Sequence, residues 1–309
     1  AAAAQVFPLH SSLPAQDQRA IFRRMPPGVR KIVVSTNIAE TSVTVDDCTH
    51  VVDAGRVKEV RYDTATSMSS LVEVWVSQAS AKQRAGRAGR VRPGECWRLY
   101  PETFHSEHMP RHTLPEMRRA PLEELVLQVM VLELGSPMEF LAKAVEPPPP
   151  KMLLAAHKTL WELQAIIVPG PSCPPLLTPL GYHLAHMPVD ARVGKLLIVG
   201  AIMQCLDPIL TIAAALSHKS PFVRPFADQG RADAARQRFA QHRSDHLAVV
   251  EAYNAWRNKR RGSSFGDTLA WCRENFLSMS ALQMMESLRY QFRQQLADVG
   301  FVPKGGDGG

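Results

Sequence analysis

Long hydrophobic runs are missing from this sequence. No apolar stretch is long enough to cross a bilayer as a helix and no secretory leader opens it, so neither a membrane span nor a membrane partner is expected. Cysteine is scarce. The five present, Cys48, Cys96, Cys173, Cys205 and Cys272, form no CxxC pair and no regular zinc spacing. They are expected to be reduced, structural thiols of an intracellular protein, in cytoplasm or nucleus. Aromatic residues make up only 7%. Acidic residues are outnumbered, 29 Asp and Glu against 36 Lys and Arg, for a formal charge of +7. That favours an anionic partner without by itself establishing nucleic-acid binding. The first residue is not methionine, and the chain is expected to be a fragment or a cut set of domains. What is present, 309 residues at 45% hydrophobic, suits two or three soluble globular domains.

The most informative stretch is Gln83-Arg84-Ala85-Gly86-Arg87-Ala88-Gly89-Arg90, which runs into Val91-Arg92-Pro93-Gly94. It reads as the start of a helix with a tight exit. On a helix, Gln83, Arg87 and Arg90 fall close to one line, because offsets of four and seven nearly close whole turns. Arg84 points elsewhere. Gly86 and Gly89 remove side chains beside the row, leaving two guanidiniums suited to bidentate contact with phosphate oxygens. The alternatives are a solvated basic helix or a disordered arginine–glycine segment; ordered apolar runs on both sides speak against the second.

Upstream, Gln5 to Leu9 is short and extended, and a helix is expected over Ala15 to Arg24, ended by Met25-Pro26-Pro27-Gly28. Phe22 near its end is either a core residue or a stacking face for a base. Lys31 to Ser35 is a continuous apolar strand of the kind buried in parallel sheets. Thr36 to Ser42 turns out of its end, and His50 to Asp53 is a second strand. Strand, polar loop and strand at this spacing is an open α/β pattern, which binds ligands at the carboxyl ends of its strands. Thr36, Thr41 and Thr44 offer hydroxyls and adjacent amides as a phosphate seat. Asp46 or Asp47 can accept from a ribose hydroxyl or cap a turn. Lys58 to Trp75, turning at Asp63 to Ser67, reads as a protruding β-hairpin, and Glu95 to Tyr100 as the last sheet strand.

Beyond it, helices are expected over Pro121 to Leu134 and Lys151 to Leu163, with a rigid break at Pro147 to Pro150, a short strand at Ile166 and a wing-like turn at Pro169-Gly170-Pro171. Residues 178–300 read as almost wholly helical. Asp207-Pro208 is expected to cap one helix, and Ser244 another that carries His246, Val249, Val250, Tyr253 and Trp256. His246 reads as a satisfied core histidine. The last helix, Ser280 to Val299, aligns Leu282, Met285, Leu288, Phe292 and Leu296 on one face. Arg289 and Arg293 lie off that face, meeting a backbone or solvent.

Two of these stretches, Ser35-Thr36-Asn37-Ile38-Ala39-Glu40-Thr41-Ser42-Val43-Thr44-Val45-Asp46 and Gln83 to Arg90, resemble signature motifs of the DEAH/RHA-type ATP-dependent RNA helicases. The spacing and the hairpin between them also fit. The resemblance continues through Leu114 to Gln128, Leu177 to Gly181, Leu206 to Ser217 and Ser244 to Leu247, nearly the whole chain. The final segments look most like the RHA-like, G-quadruplex-resolving branch.

The resemblance implies an α/β RecA-like parallel-sheet domain of the P-loop NTPase type, then a winged-helix domain and a mostly α-helical ratchet bundle. Its boundaries fall at residues 1–112, 113–177 and 178–300, with 301–309 a flexible tail. It implies hydrolysis of ATP with Mg2+, Arg87 and Arg90 acting as arginine fingers and Gln83 holding the γ-phosphate and its attacking water. Phe22 resembles one side of an adenine sandwich and Asp46 a ribose contact. Ser11, Thr36, Thr41, Thr44, Lys58 and Arg61 belong to elements that resemble an RNA-backbone grip and a strand-separating hairpin, with little base reading. No GxxxxGK[ST] and no DExH sequence occurs. The magnesium ligands are therefore expected from an upstream RecA-like domain of the same protein, and this segment alone is expected to be inactive. Accessory proteins are further expected partners. The alternatives are a non-enzymatic RNA-binding fragment or scaffold, and a DNA-directed helicase.

Overall fold

The computed structural model describes residues 3–10, 13, 15–41, 45–66, 68–89, 91, 93–170, 173–225 and 228–303. The chain divides into two compact units, Ala1–Pro121 and Leu122–Gly309.

The first unit is built on parallel strand pairs. Strands β1 (Ala3–Leu9) and β2 (Val29–Ser35) pair in parallel, Val6 opposite Ile32 and Leu9 opposite Ser35. The connection holds α1 (Ala15–Gln18) and a 3-10 turn over Arg19–Phe22. This is shorter than the expected Ala15–Arg24 helix. Arg23 is already extended, and Pro26 and Pro27 forbid helix behind it. The tighter turn drives Ile21 into a core with Phe7 and Leu9, joined by Met25, Val33, Ile38 and Val45. Strand β2 alternates. Lys31 and Val33 turn toward covered ground while Ile32 and Val34 stay exposed, so the apolar run is covered on one face among the described residues.

After β2 comes α2 (Ile38–Thr41), a single turn, and then β3 (His50–Asp53). Strands β4 (Arg56–Asp63) and β5 (Met68–Trp75) form the antiparallel hairpin. Its Tyr62 amide donates to the Arg119 carbonyl at 2.8 Å. Helix α3 (Gln78–Ala85) leads to β6 (Glu95–Arg98), which pairs in parallel with β3, and α4 (Glu102–Glu107) follows. A second core of Val76, Ala81, Tyr100 and Met109, flanked by Val57, Trp75 and Phe104, lies under the hairpin base. This is a RecA-like parallel core.

The second unit opens with α5 (Glu123–Val131), α6 (Pro137–Leu141) and α7 (Pro150–Glu162), the last begun by a proline whose missing N–H costs a helix start nothing. Strands β7 (Ile166–Ile167) and β8 (Leu176–Leu177) make a small antiparallel, winged-helix-like pair. Helices α8 (Pro179–Ala185), α9 (Ala191–Ile202), α10 (Leu206–Ser217), α11 (Gln229–Phe239), α12 (Asp245–Arg261), α13 (Phe265–Glu274) and α14 (Met279–Asp298) complete a mostly helical, ratchet-type bundle. Leu197, Trp256, Leu282, Met285 and Leu296 are wholly buried in it. The Trp256 indole N–H donates to Met279 Sδ at 3.3 Å.

Ser244 caps α12 as expected, its hydroxyl accepting from the Leu247 amide. Two other readings are corrected. Asp207 is not the cap of α10: it lies inside the first turn, and its carboxylate accepts from the Arg289 guanidinium, which also meets Thr211 and lies over the Tyr253 ring. His246 is exposed, because it sits in the first turn of α12 ahead of the stretch that packs.

Truncating Trp256 removes the largest fully buried side chain of the bundle. Trp256→Ala is expected to destabilise the second unit by about 3–5 kcal/mol, read from urea titration of the chain.

Candidate functional site

Helix α3 is held at both ends. At its start the Ser77 hydroxyl accepts from the Ser80 amide at 3.1 Å and meets Thr113 Oγ1 at 3.2 Å. The Gln78 side-chain amide donates to the carbonyls of His105 at 2.9 Å and Met109 at 3.1 Å. The backbone amides of Gln78 and Ala79 donate to Pro110 and Arg111. The first turn, whose donors a helix leaves unpaired, is thereby tied to residues 105–113.

The other end corrects the reading of Gln83 to Arg90 as a helix start with an arginine row. The helix begins at Gln78 and ends at Ala85, with Gly86 as its C-cap. Gln83 therefore sits in the last turn and Arg87 beyond the helix end. The glycines cause this: Gly86 closes the helix, and Gly89 has a φ of +81°, in the left-handed region. Arg87 folds back, its Nε donating to the Gln83 carbonyl at 3.5 Å. Cations suit a helix C-terminus, where carbonyls lack partners. The turn then packs on β3's approach. A Cβ at Gly94 would stand 2.6 Å from the Gly89 nitrogen and 2.7 Å from the Thr49 carbonyl oxygen. Arg90 lies outside the described residues.

Arg84, read from the sequence only as pointing away from the row, is the centre of the site. Its Nε donates to Glu40 Oε2 at 3.0 Å, and one Nη donates to Asp53 Oδ1 at 2.9 Å and to the Arg56 carbonyl at 3.2 Å. Asp53 is buried and also accepts from the Gly55 amide and the Tyr100 hydroxyl, each at 2.9 Å. Gly55 must be glycine: its φ is +69°, and a Cβ would come within 2.7 Å of the Tyr100 ring. Burial pulls the Arg84 guanidinium down, but its hydrogen bonds to Asp53 and Glu40 outweigh this and hold it above its ordinary value. Burial, then the hydrogen bond to Asp53, pushes the Tyr100 phenol well up, so it remains a donor. A sequence signal existed. A carboxylate closing the apolar strand Val51-Val52-Asp53 needs a buried cation or several donors.

The other candidates fall around this centre. Thr36 sits where β1 and β2 end, its amide donating to the Leu9 carbonyl at 3.1 Å and its carbonyl accepting from Ala39 at the start of α2. Thr36 and Thr41 are exposed at the two margins of α2, and Glu40 of that turn is the one that reaches Arg84. Phe22 is 53% exposed, so it is not a core residue. Asp46 is exposed in a turn, while its neighbour Asp47 is taken by Lys31 at 2.8 Å. Ile21 and Val45 pack in one cluster, which brings the residues following each, Phe22 and Asp46, to its margin. Lys58 and Arg61 both lie on β4 but are not brought together, since three positions along a strand reverse the face. Arg61 pairs with Glu59 at 2.9 Å, and Lys58 is exposed on the other face. Ser11 and Thr44 lie outside the described residues.

The five cysteines are free, and burial pushes the thiols of Cys48, Cys96 and Cys272 up. Among the described residues no three His, Cys, Asp or Glu side chains are grouped to hold a metal, and no helix is long and apolar enough to cross a membrane.

Residues 2–92 match the helicase conserved C-terminal domain, and residues 190–249 the ratchet-like helicase associated domain HA2. The chain is similar to the ATP-dependent DNA/RNA helicase DHX36 of Bos taurus, 46% identical over 299 residues, 96% of this chain and 29% of that protein. It is similar to the DExH-box ATP-dependent RNA helicase DExH1 of Arabidopsis thaliana, 47% identical over 300 residues, 97% and 29%. It is also similar to the human ATP-dependent RNA helicase DHX29, 44% identical over 297 residues, 96% and 21%. The chain thus spans 29% or less of the length of these relatives.

The Asp53 contacts give a ranked prediction. Asp53→Asn leaves the Arg84 guanidinium buried with one carboxylate partner and is expected to cost about 3 kcal/mol. Tyr100→Phe removes a single hydrogen bond to that carboxylate and is expected to cost about 1.5 kcal/mol. Chemical denaturation of the chain measures both, and equal costs contradict the ranking.

Proposed function

We propose, from C-terminal helicase domains homologous to those of DEAH/RHA-type ATP-dependent helicases, that this chain is the part of such an enzyme that couples ATP hydrolysis to movement on, or unwinding of, RNA. Residues 1–112 serve as the second RecA-like domain, 113–177 as the winged helix, 178–300 as the ratchet and 301–309 as a tail. The observation that carries the reading is the placement of the α3 end beside the strand-end turn: Arg84 ties the helix that presents Arg87 to the turn that presents Thr36 and Thr41.

In this reading ATP lies between this domain and an upstream RecA-like domain that supplies the phosphate loop, the magnesium ligands and the water-activating residues. Water attacks the γ-phosphorus as the bond to the bridging oxygen breaks. Arg87 and Arg90 offset the charge spread over the transferred group, and Gln83 orients the water. Phe22 gives one face to the adenine and Asp46 accepts from the ribose. Both are exposed and rest at one core margin, as contacts with an external ligand require. Ser11, Thr36, Thr41, Thr44, Lys58 and Arg61 hold RNA by its backbone, Lys58 and Arg61 from opposite faces of the hairpin. Accessory proteins and a place in the cytoplasm or nucleus belong to the same proposal. So does the RHA-like, G-quadruplex-resolving branch, although relatives under three different names match at 44–47% identity and the similarity singles out none of them.

A DNA substrate is the second reading, favoured by relatives whose shared name joins DNA and RNA. Parallel unwinding of RNA and DNA duplexes by the full-length protein decides between them.

The test of the main reading is ATP turnover. In the full-length protein Arg87→Ala is expected to cut turnover at least about 10²-fold, less than the ~10³–10⁵ of an unshared arginine finger, with RNA affinity in the absence of nucleotide retained. Loss of RNA affinity with normal turnover reverses the assignment. This chain alone is expected to hydrolyse ATP at background rate. RNA affinity of the full-length protein is expected to fall as salt rises, because phosphate contacts release counterions.

A further inference from the structure

We propose that Arg84 is a positioning residue that transmits RNA occupancy to the Arg87 turn, and that Glu40 is its movable partner. This rests on the nucleotide and RNA roles assigned above and adds the physical link between them.

The two carboxylates that share Arg84 are held very differently. Asp53 is an anchor. It is buried at the end of a paired strand and takes hydrogen bonds from the Gly55 amide, the Tyr100 hydroxyl and Arg84. Glu40 sits in a single helical turn of four residues, Ile38–Thr41, and its carboxylate meets Arg84 at 3.0 Å. Thr36 and Thr41 stand at the margins of that turn. A small shift of the turn therefore breaks or makes the Glu40 contact while the Asp53 contact survives, since hydrogen bonds weaken steeply with stretching and misalignment.

Arg84 is well placed to pass such a shift on. It stands one residue before the end of α3, and its carbonyl accepts from the Arg87 amide at 3.0 Å. Moving its guanidinium between one carboxylate and two biases the backbone turn that aims Arg87. The third contact, to the Arg56 carbonyl at 3.2 Å, puts the first residue of hairpin strand β4 in the same network. The turn after β2, the hairpin base and the finger turn thus share one cation. Energetic coupling requires an element with two arrangements that both sites bias; in this proposal that element is the α2 turn, with Glu40 on or off Arg84.

The test uses the full-length protein and single-stranded oligouridine. ATP turnover is measured with and without the RNA, together with RNA affinity in the absence of nucleotide and thermal melting. Glu40→Gln is expected to lower melting less than Asp53→Asn does and to leave RNA affinity and turnover without RNA at wild-type values, while the stimulation by RNA falls about fivefold or more. Glu40→Asp, which keeps the charge but shortens the reach, is expected to lie between, and it carries the same readout if the first variant melts early. Full RNA stimulation in both variants overturns the proposal. So does an equal loss of turnover with and without RNA, which marks a staple that only holds the fold. The Arg87→Ala control separates the two layers. If it leaves turnover unchanged, the assigned nucleotide role fails; if it abolishes turnover while Glu40→Gln keeps full stimulation, only the coupling fails.

Discussion

A carboxylate cannot be buried alone, and the first unit is arranged around that constraint at Asp53. A lone buried charge costs so much that the group would neutralise instead, so its partners must be supplied by the fold. Here one comes from two residues on, Gly55, and two from far along the chain, Arg84 at the end of α3 and Tyr100 just after β6. Each partner fixes the element that carries it. The glycine conformation sets the exit from β3 into the hairpin, the phenol sets the segment following β6, and the guanidinium sets the end of α3.

From that centre the placement of the candidate site follows in two steps. Helix α3 is tied at its start through Gln78 to α4 and the segment that follows it, and at its end through Arg84. The turn that carries Arg87 therefore has little freedom except the twist its glycines allow. The second unit uses similar pairs differently. Arg260 meets both Glu286 oxygens and Arg289 meets Asp207, each joining two helices of a bundle whose core is apolar. Those pairs trim a packed interface, whereas the Arg84 contacts join α2, the end of β3 and the start of β4 to the end of α3.

What the sequence made legible were features with short periods. The hairpin, the Ser244 cap and the Leu282, Met285, Phe292 and Leu296 face of α14 each announce themselves within a few residues. The start of α3 did not, because Ser77-Gln78-Ala79-Ser80 has no apolar rhythm and its stabilising bonds go to residues 105–113. Arg84 was legible as a member of a motif but not as its centre, since its partners lie 31 and 44 positions away. The reading of Gln83 to Arg90 as the start of a helix failed for a local reason, the cap at Gly86. Asp207 failed as a cap because α10 starts one residue before it, and its carboxylate is met by an arginine 82 residues later.

The central claim is that one guanidinium joins Glu40 and Asp53 energetically. The most direct measurement is a double-mutant cycle on the stability of the chain, combining Glu40→Gln and Asp53→Asn, first with Arg84 present and then in an Arg84→Met background. With Arg84 present, the double variant is expected to lose more than the sum of the two single losses, by about 0.5 kcal/mol or more, because only the double loss leaves the cation without a carboxylate. In the methionine background the two losses are expected to add. Additivity in both backgrounds, or the same excess in both, contradicts the account.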